Sequence, residues 1–365
     1  MSEWQTFCLK DLGKIVGGAT PSTNNPKNYG NKIAWITPKD LSTLQGRYIK
    51  KGSRSISRLG FKSCSCVLLP KHAILFSSRA PIGYVAIAKK RLCTNQGFKS
   101  IIPNKKIYFE FLYYLLKYHK DNISNIGGGT TFKEVSGATL GLFQVKIPPT
   151  YYEQQKIART LSILDQKIEN NRKINELLHT LAYKIYEYYF KYKSKNAKLE
   201  QIIIENPKSS IMVKNAQKTQ DKYPFFTSGD NILSYPKAII DGRNCFLNTG
   251  GNAGIKFYVG KASYSTDTWC ICANEFSDYL YLLLSNIKTH INQSFFQGTS
   301  LKHLQKNLLK KYPLYMPSVH EIKKFNQIIM PLLTFISINT RTSKKLEQIR
   351  DFLLPLLLKQ QVKPQ

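Results

Sequence analysis

Two stretches decide the fold of this chain: PPTYYEQQKIARTLSILDQKIENNRKI (148–174) and MPSVHEIKKFNQIIMPLLTFISINTRT (316–342). Each has a proline within its first two residues, continues to a glutamate and then places apolar residues at helical spacing, with an asparagine at the same depth. Proline suits the first turn of a helix, so both stretches are predicted to begin a helix just after their prolines. The chain therefore contains the same helix twice.

Apolar residues in both helices recur at alternating spacings of four and three, the heptad pattern of helices that pack lengthwise on one another. Asn171 and Asn339 stand at the same depth, and we expect them to form a polar layer that fixes the register of the pair. The predicted seam of the first helix comprises Ile157, Leu161, Leu164, Ile168, Asn171, Leu178 and Ile185. The predicted seam of the second helix comprises Phe325, Ile329, Leu332, Ile336, Asn339, Leu346 and Leu353.

The segments between the helices also repeat. In the first segment, short apolar runs separated by glycine-, proline- and serine-rich turns predict strands, and an amphipathic pattern predicts a helix over 109–123. The strand-like runs are KIAWIT (32–37), CVLLP (66–70), AILFSS (73–78) and YVAIA (84–88). The layout of ILFSSRAPIGYVAIAKKRLCTNQGF (74–98) returns in CFLNTGGNAGIKFYVGKASYSTDTW (245–269), followed by a predicted helix over 278–291.

This organisation predicts an α+β fold with an internal pseudo-twofold. Two mixed α/β domains are separated by two long helices that pair as an antiparallel coiled coil, and 365 residues suffice for two such domains. The expected boundaries are 1–147 for the first domain and 148–193 for the first helical spacer. The second domain is expected over 194–315 and the second spacer over 316–362.

The charge of the chain indicates a polyanionic partner. Lys and Arg number 54 against 22 Asp and Glu, a net charge of +32. Such a field attracts nucleic acid, an anionic membrane surface or an acidic protein. A lysine-rich proteome would give the same excess without function. The sequence has no basic amphipathic anchor, lipidation signal, membrane-spanning apolar run or secretory pattern, so we expect a cytoplasmic protein without a membrane partner.

No catalytic or metal-binding motif is found in the sequence. The chain lacks a P-loop and an HExxH motif, and IPPTYY (147–152) lacks the Asn or Asp that amino-methyltransferases place before a Pro-Pro pair. The seven cysteines include two C-x-C pairs, Cys64/Cys66 and Cys270/Cys272, rather than the C-x-x-C of zinc ribbons. We expect small buried hydrophobes on strands, no metal and no catalysis by this chain.

The repeated architecture resembles the specificity subunit of type I restriction-modification enzymes. The resemblance covers nearly the whole chain and is carried by LGKIVGGATPSTNNPKNYGNKIAWITPKDLS (12–42), ILFSSRAPIGYVAIAKK (74–90), TNQGFKSIIP (94–103) and PPTYYEQQKIARTLSILDQKI (148–168). TSGDNI, TGGNAGI and the final helix match more loosely.

The resemblance implies a subunit that binds double-stranded DNA and is not an enzyme. Each domain would be a target-recognition domain that reads one half of a bipartite, asymmetric site. The helices would set the spacing and dock two methyltransferase subunits, and motor-nuclease (restriction) subunits would complete the complex. S-adenosylmethionine, Mg2+ and ATP would belong to those partners, with no cofactor in this chain. The alternatives are a stand-alone nucleic-acid-binding regulator and a coiled-coil scaffold whose charge is incidental.

Candidate DNA-binding residues are Lys, Arg, Asn, Gln, Ser and Thr in loops between elements, because these types contact phosphates and base edges. In the first domain they are Lys39, Arg79, Lys89, Lys90, Thr94, Asn95, Gln96, Thr130 and Lys133. In the second they are Arg243, Lys256, Lys261, Thr266, Thr299, Ser300 and Lys302. The tyrosine-rich stretch AYKIYEYYFKYK (182–193) is expected to pack a helix on a domain, with a stacking platform for single strands as the alternative.

Overall fold

The computed structural model describes residues 3–129, 133–216 and 222–364. The chain divides into two compact units. One comprises Met1–Glu169 with Ile349–Gln365, and the other comprises Asn170–Gln348. Each long helix therefore contributes one part to each unit.

The first unit contains three sheets. A five-stranded sheet has the order β2-β9-β6-β7-β4, a three-stranded sheet the order β5-β3-β8, and β1 pairs with β10. The elements are β1 (Gln5–Cys8), α1 (Leu9–Leu12), β2 (Gly13–Gly17), β3 (Tyr29–Ile36), α2 (Pro38–Ser42), β4 (Tyr48–Ile49), β5 (Arg54–Ile56), α3 (Arg58–Lys62), β6 (Ile74–Phe76), β7 (Val85–Ala88), β8 (Cys93–Thr94), β9 (Lys99–Pro103), α4 (Phe109–Asn125), α5 (Gly137–Leu142), β10 (Gln144–Ile147) and the start of α6 (Tyr151–Phe190).

The second unit contains a four-stranded sheet of order β12-β18-β15-β16, a three-stranded sheet of order β14-β13-β17 and the pairs β11-β21 and β19-β20. The elements are β11 (Ala197–Lys198), β12 (Ile204–Glu205), β13 (Tyr223–Phe226), β14 (Leu233–Tyr235), β15 (Arg243–Asn248), β16 (Ile255–Val259), β17 (Ser263–Tyr264), β18 (Thr268–Cys272), α7 (Ser277–Asn286), α8 (Lys288–Ser294), β19 (Phe296–Gln297), β20 (His303–Leu304), α9 (Lys306–Lys310), β21 (Pro313–Leu314) and α10 (Val319–Leu358).

The two domains repeat one topology, as the sequence layout predicts. The antiparallel order β9-β6-β7 in the first domain has its counterpart in β18-β15-β16 in the second. The parallel pair β3-β8, with Trp35 opposite Cys93, corresponds to β13-β17, with Phe225 opposite Ser263. One supersecondary pattern therefore presents two sets of loops.

Both long helices form as predicted, and each spans 40 residues. Their prolines are followed by capping residues, since the Glu153 N–H donates to Thr150 Oγ1 (3.2 Å) and the Glu321 N–H donates to Ser318 Oγ (3.3 Å). Such caps satisfy backbone groups that the first turn leaves without helical partners. A 40-residue helix is about 60 Å long.

The helices pair antiparallel within each unit. In the first unit Arg350 Nη1 donates to Asp165 Oδ1 (2.7 Å). In the second unit Asn339 Nδ2 donates to Asn175 Oδ1 (2.9 Å). None of the predicted seam residues is exposed: Ile157, Leu161, Ile168, Phe325, Ile329, Ile336 and Asn339 are buried, and Leu164, Asn171, Leu178, Ile185, Leu332, Leu346 and Leu353 are half-buried.

The polar layer differs from the expectation in its pairing. Asn171 does not bond to Asn339; its Nδ2 donates to Ser343 Oγ (3.2 Å), while Asn339 bonds to Asn175. In an antiparallel pair, residue numbers increase along one helix while they decrease along the other. The two asparagines at equivalent positions of the two helices are therefore not direct partners. Asn171, Asn175, Asn339 and Ser343 together form the polar layer.

Buried ion pairs fasten each domain to the helix segments of its own unit. In the first unit Arg47 contacts Glu110 (3.0 Å) and Glu169 of α6 (3.4 Å). In the second unit Arg243 bonds to Asp278 and also donates to Thr334 Oγ1 of α10 (3.0 Å). A buried charge left without its partner is costly, so these contacts hold each domain in one orientation on its helices.

Two local predictions are wrong: the strand over 66–70 with its neighbouring cysteines, and the unbroken helix over 278–291. Residues 66–70 form no strand beyond one bridge between Leu69 and Leu92, so Cys64 and Cys66 lie in a loop, whereas Cys270 and Cys272 do lie on β18. The helix expected over 278–291 breaks at Ile287 into α7 and α8. All seven cysteines are free.

Candidate nucleic-acid interface

Loops of the first domain converge at one end of its sheets. We call residues 18–20, 37–39, 77–83, 94–97, 126–129 and 133–135 the first loop cluster. The Ala19 N–H donates to the Thr94 carbonyl (3.0 Å), and the Ser78 N–H donates to the Gly97 carbonyl (2.8 Å). The Val135 N–H donates to the Ser78 carbonyl (3.0 Å). Gly18 approaches so closely that a Cβ there would overlap the carbonyl oxygen of Asn95.

The second domain builds an equivalent surface. Its second loop cluster comprises residues 227–230, 249–254, 265–267 and 298–304. The Ser265 N–H donates to the Phe226 carbonyl (2.9 Å), and the Gly251 N–H donates to the Lys302 carbonyl (2.9 Å). The Leu304 N–H donates to the Thr249 carbonyl (3.0 Å), the counterpart of the bond between Val135 and Ser78. The two clusters share a backbone frame but differ in side chains.

Five predicted residues of the first domain meet in the first loop cluster with side chains that are at least partly exposed. Lys39, Gln96 and Lys133 are exposed there, and Arg79 and Asn95 are half-buried. Asn95 accepts from the Gly97 N–H (3.0 Å), which holds the turn, and Thr20 donates to Gln96 Oε1. The cluster therefore combines cations with amide groups, the donors that phosphates and base edges require.

Of the other predicted residues of the first domain, Thr94 lies in the cluster but is buried, whereas Lys89 and Lys90 lie elsewhere. Thr94 is part of β8 and only 3% exposed, which argues against a DNA contact. Lys89 and Lys90 follow β7 at the end of the β6-β7 hairpin opposite Arg79, because Ile74 pairs with Ile87 and Phe76 pairs with Val85. Thr130 lies outside the described residues. Lys39 is in α2 rather than in a loop.

In the second domain Thr266, Thr299, Ser300 and Lys302 lie in the second loop cluster. Thr299, Ser300 and Lys302 are exposed, and Thr266 is half-buried. Lys261 is exposed but follows β16, at the end of the β15-β16 hairpin opposite residues 249–254. The structure therefore brings four of the seven predicted residues together.

Arg243 and Lys256 are strand residues whose cations are used inside the fold, contrary to the expectation of loop positions. Arg243 begins β15 and binds Asp278, whose side chain is 1% exposed. Lys256 lies in β16, where its Nζ donates to the Thr227 carbonyl (2.8 Å) and to Asn248 Oδ1 (3.1 Å). Burial lowers the pKa of Lys256. Both contacts argue against a DNA role for these two side chains.

A further basic group borders the second loop cluster. Lys310 pairs with Glu205, which also accepts from Trp269 Nε1 (2.7 Å), and the Lys306 ammonium lies 5.3 Å from the centre of the Trp269 ring. Burial lowers the pKa of Lys306, and nearby Lys208 and Lys310 lower it further. Sequence reasoning missed these lysines because lysine is common throughout the chain and only the fold gathers these three.

The tyrosine-rich end of α6 packs mainly on the second domain, as expected. Tyr186 and Phe190 are buried and contact Tyr279, with ring centres 5.8 Å and 5.0 Å apart. Tyr188 and Tyr192, by contrast, are 86% and 91% exposed. The stretch therefore has one packed face and one open face.

Both helices of the second unit carry an exposed apolar face. The domain packs on other faces, since Ser337 accepts from the Val259 N–H (3.1 Å) and Lys344 donates to the Leu233 carbonyl (2.7 Å). Large apolar side chains point to solvent at Ile174, Leu177 and Leu181 of α6 and at Ile328, Phe335 and Ile338 of α10. Exposed apolar rows at heptad spacing are typical of a surface that receives further helices.

The described residues contain no group of three or more His, Cys, Asp or Glu side chains placed to hold a metal ion. Among the helices described, none is long and apolar enough to cross a membrane. Both loop clusters offer hydrogen-bonding groups. The first carries Lys39, Arg79 and Lys133 against Glu134, whereas the second carries Lys302 beside the exposed Asp230 and Asp267.

Known proteins are similar to this chain in sequence and in fold. The model of the type I restriction modification DNA specificity domain matches residues 1–180 and 192–348. The specificity subunit of the type I restriction enzyme MjaIX from Methanocaldococcus jannaschii is 32% identical, over 98% of this chain and 93% of that protein. The HindI specificity subunit from Haemophilus influenzae is 32% identical over 48% of this chain and 40% of its own length. The crystal structure of a type I restriction-modification S subunit from M. genitalium has the same fold, with a TM-score of 0.66 at 17% identity and coverage of 98% and 96%.

Proposed function

Because this chain belongs to the type I restriction-modification DNA specificity family, we propose that each of its domains reads one half of a bipartite, asymmetric DNA site. One observation carries this proposal: the two loop clusters have equivalent backbone hydrogen bonds but different side chains. Equivalent frames orient two readers in the same way, while different donors and acceptors select different base pairs. The site would accordingly have two unlike halves.

The charge supports a duplex partner. A net charge of +32 gives a field that attracts DNA, and the exposed Lys39, Lys133 and Lys302 lie in the loop clusters, where phosphates would be contacted. Base-edge contacts are assigned to Asn95, Gln96, Thr266, Thr299 and Ser300 in the same clusters. Such a binding surface releases counterions, so affinity should fall steeply as salt rises.

The helices are proposed to set the spacing between the two halves and to dock two methyltransferase subunits. The apolar rows on α6 and α10 are the surface on which helices of those subunits would pack. The buried ion pairs of Arg47 and Arg243 would keep each domain fixed on its helix segments, because a spacer works only if the readers cannot turn on it. Restriction subunits would join the same complex.

Catalysis is assigned to the partners. This chain would bind no S-adenosylmethionine, Mg2+ or ATP itself and would act in the cytoplasm, where those subunits and their DNA substrate meet. Its contribution to methylation or cleavage is the choice of sequence.

Co-purification with the native partner tests the assembly. The full chain, captured from its own cells, should bring down a methyltransferase subunit at about two copies per chain. Labelled methyl transfer to DNA from S-adenosylmethionine should require that subunit. Methylation by the homogeneous chain alone, or specific DNA binding with no methyltransferase subunit captured, would contradict the proposal.

A further inference from the structure

Arg79 occupies a rigid position in the first loop cluster. It directly follows Ser78, whose N–H donates to the Gly97 carbonyl (2.8 Å) and whose carbonyl accepts from the Val135 N–H (3.0 Å). On the other side of the loop, the Gly83 N–H donates to the Ser77 carbonyl (3.0 Å), and Ser77 Oγ accepts from the Tyr84 N–H (2.8 Å). The backbone that presents Arg79 is therefore held from both sides.

A carboxylate orients the Arg79 side chain. Arg79 Nη1 lies 3.4 Å from Glu134 Oε2, and the other carboxylate oxygen of Glu134 accepts from Lys99 Nζ (3.3 Å). The Glu134 backbone is fixed in turn by reciprocal hydrogen bonds with Gly128 of 2.9 Å and 3.1 Å. The carboxylate thus starts from a fixed backbone and contacts two cations, and it orients the guanidinium while the Arg79 side chain remains 37% exposed.

The remaining edge of the guanidinium is available. Within the described part of the chain, Arg79 makes no hydrogen bond other than that of Nη1. Its planar fork therefore keeps two parallel N–H groups for a ligand. Glu134 repels the full negative charge of a phosphate more strongly than the partial negative charges on a neutral base edge, so it favours the base edge. Two parallel acceptors on a neutral edge are what guanine presents in the major groove through O6 and N7.

We propose that Arg79, oriented by Glu134, reads one guanine through its O6 and N7 atoms in the half-site bound by the first domain. This inference rests on the proposed function and deepens it, because it assigns one base to one side chain. Glu134 acts as a positioning residue and does not contact the guanine.

The second domain lacks this reader. The equivalent backbone bond joins Leu304 to Thr249, so the residues that stand where Arg79 and Glu134 stand are Gly250 and His303, which form an antiparallel bridge. Glycine has no side chain with which to contact a base. The base preferences of the half-site bound by the second domain should therefore not depend on Arg79. That half-site serves as an internal reference in each experiment.

The test is selection of bound sequences from a random duplex pool by the full chain with its methyltransferase partner. The unmodified complex should select a fixed guanine in one half-site. Arg79→Ala should reduce discrimination for that guanine by about 10- to 100-fold, leaving the other positions and the other half-site unchanged. Arg79→Lys keeps the charge but not the fork, and it should lose most of the same discrimination.

Two further variants separate base reading from charge and from folding. Lys133→Ala, a neighbour that forms no ion pair within the described residues, should weaken binding to all sequences alike and lower the salt slope by about one. Glu134→Ala should relax the guanine preference and raise the salt slope, because the released Arg79 can then contact a phosphate. Retention of the other selected positions in the first half-site shows that the first domain of each variant is folded.

The outcomes distinguish the two proposals. An unchanged guanine preference in Arg79→Ala, or the absence of any fixed guanine from the first half-site, overturns the inference and leaves the proposed function standing. Failure of the unmodified complex to select any two-part site overturns the proposed function itself.

Discussion

Replacement of Arg243 by alanine should make the second domain unfold more readily without changing the salt dependence of DNA binding. The Arg243 guanidinium bonds to both oxygens of Asp278, at 2.5 Å each, and its side chain is only 17% exposed. Arg243→Ala leaves the Asp278 carboxylate buried without its cation, which costs about 3–5 kcal/mol in typical proteins. Burial already raises the pKa of Asp278 despite the guanidinium, so the unpaired carboxylate will partly relieve this cost by taking up a proton.

Hydrogen–deuterium exchange resolves the effect by domain. A loss of 3–5 kcal/mol corresponds to exchange about 150- to 4,000-fold faster in peptides from β15 and β18, with peptides from the first domain unchanged. The double variant Arg243→Met with Asp278→Leu removes both charges and should restore most of the protection, because apolar side chains of similar size replace the pair.

Lys302→Ala is the matched control. Lys302 is exposed in the second loop cluster, so its loss should leave exchange unchanged and lower the slope of log K against log salt by about one. Arg243→Ala should do the opposite. If Arg243→Ala lowered the salt slope and left exchange unchanged, Arg243 would contact phosphate and the structural role argued for it would be wrong.

Three further predictions concern the helices. Replacing both Asn175 and Asn339 with leucine should raise the melting temperature, whereas Asn339→Leu alone leaves Asn175 Oδ1 unpaired. A double-mutant cycle should give a coupling free energy of about 1–2 kcal/mol between the two side chains. Additive effects on the free energy of unfolding would show that the two side chains do not interact. Hydrogen bonds from the Ser318 N–H and, with a smaller effect, from the Tyr315 hydroxyl lower the pKa of Glu321 to about 2. The ionised carboxylate therefore stabilises the fold above pH 4.5, and this stabilisation is lost as the pH falls toward 2. The melting temperature of Glu321→Gln should lack this pH dependence, and an equal pH dependence in both proteins would contradict the assignment. One heptad added to both α6 and α10 lengthens each helix by about 10 Å, so the unspecified spacer in selected DNA sites should grow by roughly three base pairs. Binding should weaken, because the added base pairs rotate one half-site around the duplex. An unchanged spacer with intact affinity would exclude the helices as the element that sets the spacing.

The sequence alone predicts the elements whose signals are local. The helices α6 and α10 follow from caps and heptads, and the repeated domain topology follows from the repeated order of strands, turns and helices. The break at Ile287 and the loop at residues 66–70 were missed, since short apolar runs do not distinguish a strand from a loop packed against a core.

The candidate site was harder to predict because its residues are brought together only by tertiary contacts. Arg243 is far from Asp278 along the chain. The sequence around Arg243 does not distinguish it from an arginine that lies in a loop and binds phosphate. Glu134 orients the Arg79 side chain, and no sequence pattern near Arg79 predicts this contact. In a chain with 54 Lys and Arg, residue type indicates the partner, but only the fold tells which cations face it.

The most direct test of the central claim is the sequence selected from a random duplex pool by the full chain assembled with its methyltransferase partner. Two domains with equivalent frames and different side chains predict two short specified segments, unlike each other and separated by a fixed number of unspecified base pairs. One uninterrupted motif, or two segments of identical sequence, would contradict the account.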